Sequence, residues 1–210
     1  MLPEKTVSKF LDELASNSPA PGGGSIAALA GALASALTSM VCRLTVGKKK
    51  YLHVESEMNG VLTRSEDLRK RFTALIDLDT DAFNKVMEAY GLPKESDDQK
   101  ALRSAAIQEA TKEAALVPLE VMKHTIDAMA LAKGVADKGN MNSVSDAGVS
   151  ALMLHAAAES AALNVKINLN SITDTDFVGW KREEVSSLVK TSKMKCDEIM
   201  GIVRGKIMDA

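Results

Sequence analysis

The chain has 210 residues with 26 basic and 28 acidic side chains, so its net charge of −2 gives no strong field for nucleic acid or an anionic membrane. Aromatic residues make up 3% of the chain, which removes the usual stacking platforms for single-stranded nucleic acid. No Gly/Ser-rich or Pro-rich linker interrupts the sequence, so we predict one domain over residues 1–210.

The N-terminal segment predicts a cytoplasmic protein. Glu4 and Lys5 occur at once, without an apolar run, so no signal peptide is expected. Cys42 and Cys196 lie far apart without the spacing of metal ligands, which is typical of reduced thiols. Thr6 then caps a short amphipathic helix, which we expect to close the core through four apolar residues: Val7, Phe10, Leu11 and Leu14.

The stretch 19–51 is predicted to contain the central helix. Gly22, Gly23 and Gly24 leave three successive amides without side chains, and we interpret Ser25 as the cap of a helix that begins at Ile26. The helix combines a ridge of large apolar residues with two rows of small ones, so neighbouring helices can approach closely. Its Ala, Ser, Thr and Gly content favours a buried core helix over a membrane span. The ridge consists of Leu29, Leu33, Leu37 and Val41.

The two ends of this helix differ in charge. At the near end the glycine loop resembles an anion-binding helix N-terminus, but it lacks the residues of a P-loop, so taken alone it favours a tight turn. At the far end Gly47 is a plausible C-cap, followed by Lys48, Lys49 and Lys50. Lysines here suit the negative end of a helix dipole, and a solvated helix end is the simplest interpretation.

The remainder of the chain predicts four further helices and no strands. Apolar residues repeat by threes and fours from Val54 to Tyr90, and a second segment from Ala101 to about Ala136 contains Pro118, which should kink it. Two more helices follow, over 146–169 behind a Ser145 cap and from Asp174 or Thr175 onwards. The sequence therefore predicts an all-α bundle of long up-down helices around the Ala/Gly-rich helix.

Asp79 interrupts the apolar side of the longest helix. At about 100° per residue Asp77 and Asp81 point to the polar side, whereas Asp79 falls among large apolar residues. A desolvated aspartate there should have a raised pKa and suits a proton-transferring acid. A buried structural salt bridge explains the position equally well, so both interpretations stay open. The apolar neighbours are Phe72, Ile76, Phe83 and Val86.

The predicted helix over 146–169 carries polar residues along its inward face. Such a row predicts either a buried hydrogen-bond network or a polar site for the edge of a heterocycle. The pairs Glu120/His124 and His155/Glu159 do not form a recognisable metal set, so we expect no metal. No βαβ unit for a nucleotide is present either, and no redox cofactor is expected. The polar row consists of Asp146, Ser150, Ser160, Asn164 and Asn168.

Four sequence blocks, spread over nearly the whole chain, resemble the cyclodeaminase/cyclohydrolase family of one-carbon folate metabolism. They are PAPGGGSIAALAGALASALTSMVCRLTVGKKKY, LIDLDTDAFNKVMEAYGLPK, KGNMNSVSDAG and ALNVKIN. The resemblance implies an all-α homodimer that binds folate near the subunit interface. The family's catalytic aspartate lies in a D-x-[DE]-A-F block, which corresponds to Asp79 here.

The resemblance also implies a substrate and further contacts. The forms GKKKY, AYGLPK and SVSDAG, and the absence of a formiminotransferase domain, favour a methenyltetrahydrofolate cyclohydrolase. A formiminotetrahydrofolate cyclodeaminase is the first alternative, and a non-catalytic folate-binding helical protein is the second. We expect one set of residues to hold the pterin and aminobenzoyl portions: Gly22, Gly23, Gly24, Ser25, Asn140, Asp146 and Asn164. A second set would bind the glutamate carboxylates or a polyglutamate tail: Lys48, Lys49, Lys50 and Lys94.

Overall fold

The computed structural model describes residues 1–208, and within them the chain is an all-α bundle, as predicted. The helices are α1 Val7–Leu14, α2 Gly23–Thr45, α3 Glu55–Tyr90, α4 Asp97–Lys138, α5 Val144–Leu169 and α6 Thr175–Met208. Short 3₁₀ turns cover Leu2–Glu4, Lys49–Val54 and Met141–Ser143.

The helix ends follow ordinary capping chemistry, with several boundaries displaced from the predicted ones. The Thr6 side chain accepts from the Lys9 backbone N–H at the start of α1, as expected. Ser96 and Gln99 form a capping box, so α4 begins at Asp97, earlier than predicted. Ser143, not Ser145, precedes α5, and Asp174 accepts from the Phe177 backbone N–H at the start of α6.

Ser25 is not a helix cap. Helix α2 begins at Gly23, with Gly22 at the N-cap position, so Ser25 lies inside the first turn and is completely buried. Gly23 and Gly24 allow the helix to start earlier, because a side chain at either position would collide with Asn164 of α5 or Asp79 of α3. At the other end Gly47 has φ = +76°, the left-handed conformation expected just beyond a helix C-terminus.

Helix α2 occupies the centre of the bundle and packs against α3, α4 and α5. The rows of small residues face the core: a Cβ added to Gly31 would lie 2.6 Å from ring atoms of the buried Phe72. The residues of the apolar ridge differ in exposure, since Val41 is buried whereas Leu33 is 47% exposed. Neighbouring helices therefore pack closely against the face of α2 that carries the small residues, and part of the apolar ridge stays exposed to solvent.

By length and composition alone, α2 is also apolar enough to cross a membrane, the one such helix within residues 1–208. In the bundle 61% of its most hydrophobic segment is buried, which is the pattern of a core helix. The up-down order places the N-terminus of α2 at the same end of the bundle as the C-terminal parts of α3 and α5.

Candidate active site

A cavity of about 340 Å³ lies where the N-terminus of α2 meets α3, α4 and α5. Its polar lining comes from Asp79 on α3, from Asn164 and Asn168 on α5, and from the backbone at Gly22–Gly24. Its apolar lining includes Phe83 and Val86 on α3, Ala114 on α4 and Ile167 on α5. This combination of an apolar wall and a few polar groups is typical of a small-molecule site.

Asp79 faces the N-terminal turn of α2. Its Oδ2 lies 3.1 Å from the Ser25 hydroxyl oxygen, which also lies 2.9 Å from the backbone oxygen of Ile76. A Cβ added to Gly24 would lie 2.5 Å from Cγ of Asp79 and closer still to Oδ1. Only a residue without a side chain fits between the helix and the carboxylate, so Gly24 permits this contact.

Burial raises the pKa of the Asp79 carboxyl, while hydrogen bonds from the Ser25 side chain and backbone oppose the shift by favouring the ionised form. The positive end of the α2 dipole also favours a carboxylate at this position. No salt bridge to Asp79 exists within residues 1–208. Of the two interpretations that the sequence left open, the geometry therefore favours the proton-transferring acid.

Asp77 and Asp81, the acidic residues on either side of Asp79, have different surroundings. Asp81 is exposed, as predicted for the polar side of α3. Asp77 is partly buried and accepts a hydrogen bond of 2.8 Å from the Leu2 backbone N–H, so it anchors the N-terminal turn. The helical phase correctly separated Asp77 from Asp79 but could not show this tertiary partner.

The two asparagines present acceptors to the cavity. Asn164 Nδ2 donates to the backbone oxygen of Ser160, and Asn168 Nδ2 donates to that of Ala114. These bonds fix both amides and leave each Oδ1 without a hydrogen-bond partner in the described part of the chain. The site therefore offers backbone N–H donors on one side and amide oxygens on the other.

Asn168 was not predicted as a binding residue, although it lies four positions after Asn164 on the polar row. Helical phase could have identified it. Phe83 and Val86 belonged to the predicted apolar stripe, but nothing in the sequence indicated that they would line a cavity. Ala114 carries no sequence signal at all.

Several predicted site residues lie outside this cavity. Asn140 is 5% exposed and holds the end of α2, because its amide donates to the backbone oxygen of Leu44 and its N–H donates to Thr45 Oγ1. Asp146 lies in the first turn of α5, at the same far end. Neither residue lines the cavity of its own chain, because both lie at the opposite end of the bundle, and their contact with the substrate stays a prediction.

The lysines are also separated from Asp79 within one chain. Lys48, Lys49 and Lys50 are exposed beyond the C-terminus of α2, a helix of 23 residues and hence about 34 Å in length. Lys94 is exposed in the loop between α3 and α4, at the cavity end, but it does not line the cavity. Only a second copy could bring Lys48–Lys50 to the cavity.

No three His, Cys, Asp or Glu side chains within residues 1–208 come together in a way that could hold a metal ion. His124 contacts the ring of Phe72 edge-on, and burial lowers its pKa. His155 Nδ1 lies 3.0 Å from the buried Ser192 hydroxyl. Both histidines therefore serve helix packing.

A sequence profile of the formiminotransferase-cyclodeaminase family matches residues 6–187. The chain belongs to this family. It is 45% identical over 207 residues to a methenyltetrahydrofolate cyclohydrolase from Methylorubrum extorquens, covering 99% of this chain and all of that protein. It is 32% identical over 197 residues to the formimidoyltransferase-cyclodeaminase of Mus musculus, covering 94% of this chain but 36% of the mouse protein.

The fold is also that of a solved member of the family. The crystal structure of formiminotetrahydrofolate cyclodeaminase from Thermotoga maritima matches with a TM-score of 0.88 and 32% identity, covering 99% of this chain and all of that one. Because a cyclodeaminase of this length exists, a single-domain chain does not by itself distinguish the family's two reactions. Asp79 and Phe83, which line the cavity, are the first and last residues of the D-x-[DE]-A-F block that carries part of the sequence resemblance.

Proposed function

We propose that this protein is a methenyltetrahydrofolate cyclohydrolase, which hydrolyses 5,10-methenyltetrahydrofolate to 10-formyltetrahydrofolate. The observation that carries the proposal is Asp79, a carboxylate in a cavity that is otherwise lined by uncharged groups, opposite the amides of a helix N-terminus. The full-length identity of 45% to a cyclohydrolase supports this reaction over cyclodeamination, whose relatives match at 32% to 34%.

The reaction needs one group that accepts and returns a proton. Ionised Asp79 attracts the cationic methenyl ring and takes a proton from a water molecule, whose oxygen bonds to the methenyl carbon. The resulting tetrahedral carbon bridges N5 and N10. Protonated Asp79 then gives its proton to N5 as the C–N5 bond breaks, and the hydroxyl proton of the intermediate passes to solvent as the formyl group forms. Asp79 ends ionised.

The polar cavity wall fits the pterin portion of this substrate. Pterins carry an exocyclic amino group and ring N–H groups, which are donors for the free Oδ1 atoms of Asn164 and Asn168. The apolar side chains of Phe83 and Val86 supply a surface for the rings. The amides of Gly22–Gly24 are donors for acceptor atoms of the substrate.

Mixing the purified protein with each substrate tests the assignment. Methenyltetrahydrofolate absorbs light through its conjugated ring, so a cyclohydrolase should remove this absorbance, whereas a cyclodeaminase should create it from formiminotetrahydrofolate. The proposal is supported if methenyltetrahydrofolate loses its absorbance with a higher kcat/KM than the protein shows for formiminotetrahydrofolate. Binding of either folate without turnover would support a folate-binding protein instead.

We also propose that the active form is a homodimer. Two adjacent helices leave apolar stripes exposed: Leu33, Met40 and Leu44 on α2, and Val149, Leu152, Leu163 and Ile167 on α5. Ile167 also lines the cavity, so the α5 stripe extends to the site. Covering these stripes with a second copy would remove apolar surface from water beside the substrate.

Negative charges introduced into the apolar stripes of α2 and α5 should dissociate the dimer. In a two-fold interface one substitution introduces two charges, so Leu33→Glu combined with Leu152→Glu should shift the protein to a monomer and lower kcat/KM. Sedimentation at assay concentrations measures the change. Leu102→Glu, at an exposed leucine on α4, is the matched control. A fully active wild-type monomer would contradict the proposal.

Lys48, Lys49 and Lys50 remain candidates for the glutamate tail, through the partner subunit. A two-fold axis across the middle of α2 would place one subunit's lysine end beside the other's cavity. Replacing all three with Ala should raise KM more for polyglutamylated than for monoglutamylated substrate, with kcat nearly unchanged, because exposed charges act on binding and are screened. Steady-state kinetics at low and high salt measure this. Equal KM changes for both substrates would exclude a tail-binding role.

A further inference from the structure

The Ser25 hydroxyl lies behind the Asp79 carboxylate, away from the cavity. Ser25 is 0% exposed, so it does not meet a ligand. Its oxygen lies within hydrogen-bond distance of three other oxygens: Ile76 O at 2.9 Å, Asp79 Oδ2 at 3.1 Å and Thr80 Oγ1 at 3.4 Å. All three oxygens belong to one turn of α3, and the Thr80 hydroxyl can donate as well as accept.

A hydroxyl has one hydrogen and two lone pairs, so Ser25 cannot donate to all of these oxygens at once. When Asp79 is ionised, donation to its carboxylate is the stronger bond. When Asp79 is protonated on the oxygen that does not contact Ser25, Oδ2 becomes the carbonyl oxygen and still accepts from the Ser25 hydroxyl, which can also donate to the Ile76 backbone oxygen. The Ser25 hydrogen therefore has an acceptor in both protonation states of Asp79.

We propose that Ser25 is a positioning residue that holds Asp79 in one orientation throughout turnover by donating to Oδ2, which leaves the other carboxyl oxygen to take and return the proton. The proton of Ser25 stays on Ser25. The inference deepens the proposed function and rests on it, since Asp79 changes protonation twice in that reaction. A catalytic acid that kept its position in both states would need no reorganisation between the two proton transfers.

The surroundings of Asp79 make Ser25 its main adjustable contact. The cavity lining contributes Gly24 from α2, Phe83 and Val86 from α3, and Ala114 from α4, none of which is ionisable. Helix α5 contributes Ile167 and the neutral amides of Asn164 and Asn168. Burial raises the pKa of Asp79, and both contributions that lower it come from Ser25, through its hydroxyl and its backbone N–H.

Titration of the free protein tests this without substrate. With ¹³C-labelled aspartate carboxyls and Asp79→Asn to assign the signal, NMR reports the pKa of Asp79 directly. Ser25→Ala removes the hydroxyl donor and should raise this pKa by about one to two pH units. Ser25→Cys, with a weak donor, should give a smaller rise. Ser35→Ala, at a buried α2 serine bonded to the Gly31 backbone oxygen, should leave it unchanged.

Kinetics gives the second measurement. The acidic limb of kcat/KM reports the base in the free enzyme, so it should move to higher pH in Ser25→Ala by the same amount as the NMR pKa. An unchanged Asp79 pKa in folded Ser25→Ala and Ser25→Cys would overturn the proposal, as would an equal shift in Ser35→Ala. The NMR titration needs no enzymatic activity, so it tests the role of Ser25 independently of the reaction. Normal turnover in Asp79→Asn would instead contradict the proposed function.

Discussion

Asp79→Asn is expected to lower kcat by about 10²- to 10⁴-fold, because the amide keeps the shape of the carboxylate but cannot exchange a proton. Binding of substrate should survive, since the cavity wall is unchanged. Turnover of methenyltetrahydrofolate with wild-type and variant protein measures the effect. Asp81→Asn, an exposed position two residues further along the same helix, is the matched control and should retain activity.

The same variant should be as stable as the wild type or more so at pH 8. Burial raises the folded-state pKa of Asp79, so its contribution to stability is present below the unfolded pKa and is lost as pH rises through the folded pKa. Removing the ionisable group should therefore raise the melting temperature at high pH, with a difference that shrinks toward pH 4. A loss of about 3 to 5 kcal/mol would indicate a broken buried ion pair instead.

Gly24→Ala is expected to reduce kcat by about 100-fold or more with little loss of stability. The added Cβ would lie 2.5 Å from Cγ of Asp79, so the carboxylate must move, and a misplacement of about 1 Å has this effect on a catalytic group. The displaced atoms end a flexible side chain, so the fold accommodates them. Steady-state kinetics and thermal unfolding on one preparation measure both quantities.

Two further variants make the Gly24 result specific. Gly60→Ala, in α3 with open space around the added Cβ, should leave kcat unchanged and stabilise the helix by about 1 kcal/mol. In the double variant Gly24→Ala/Asp79→Asn, the two losses should not add, because both act on the same carboxylate. Wild-type kcat in Gly24→Ala, or full additivity in the double variant, would contradict the proposed contact.

The sequence predicted most of the fold because the signals were local. Apolar spacing identified the long helices, and helical phase placed Asp79 on the inward face of α3. The start of α2 was misplaced because Ser25 resembles a cap, whereas its hydroxyl bonds across to α3. That bond depends on helix packing, which no short stretch of sequence specifies.

The binding residues were harder to predict than the catalytic acid. Asn164 was identified because a polar residue on a buried helix face is unusual in itself. Asn140 has the same property but bonds to the end of α2, about one helix length from the cavity. Burial of a polar side chain is thus visible in the sequence, whereas the partner that satisfies it depends on tertiary distances.

The contact between Gly24 and Asp79 also links two positions in the evolution of related chains. A side chain at position 24 and a carboxylate at position 79 would occupy the same space. We therefore expect natural substitutions at these positions to occur together: a relative that gains a larger residue at 24 should carry a shorter one at 79. Such a paired change would identify relatives that keep the helical bundle but have lost proton transfer at position 79.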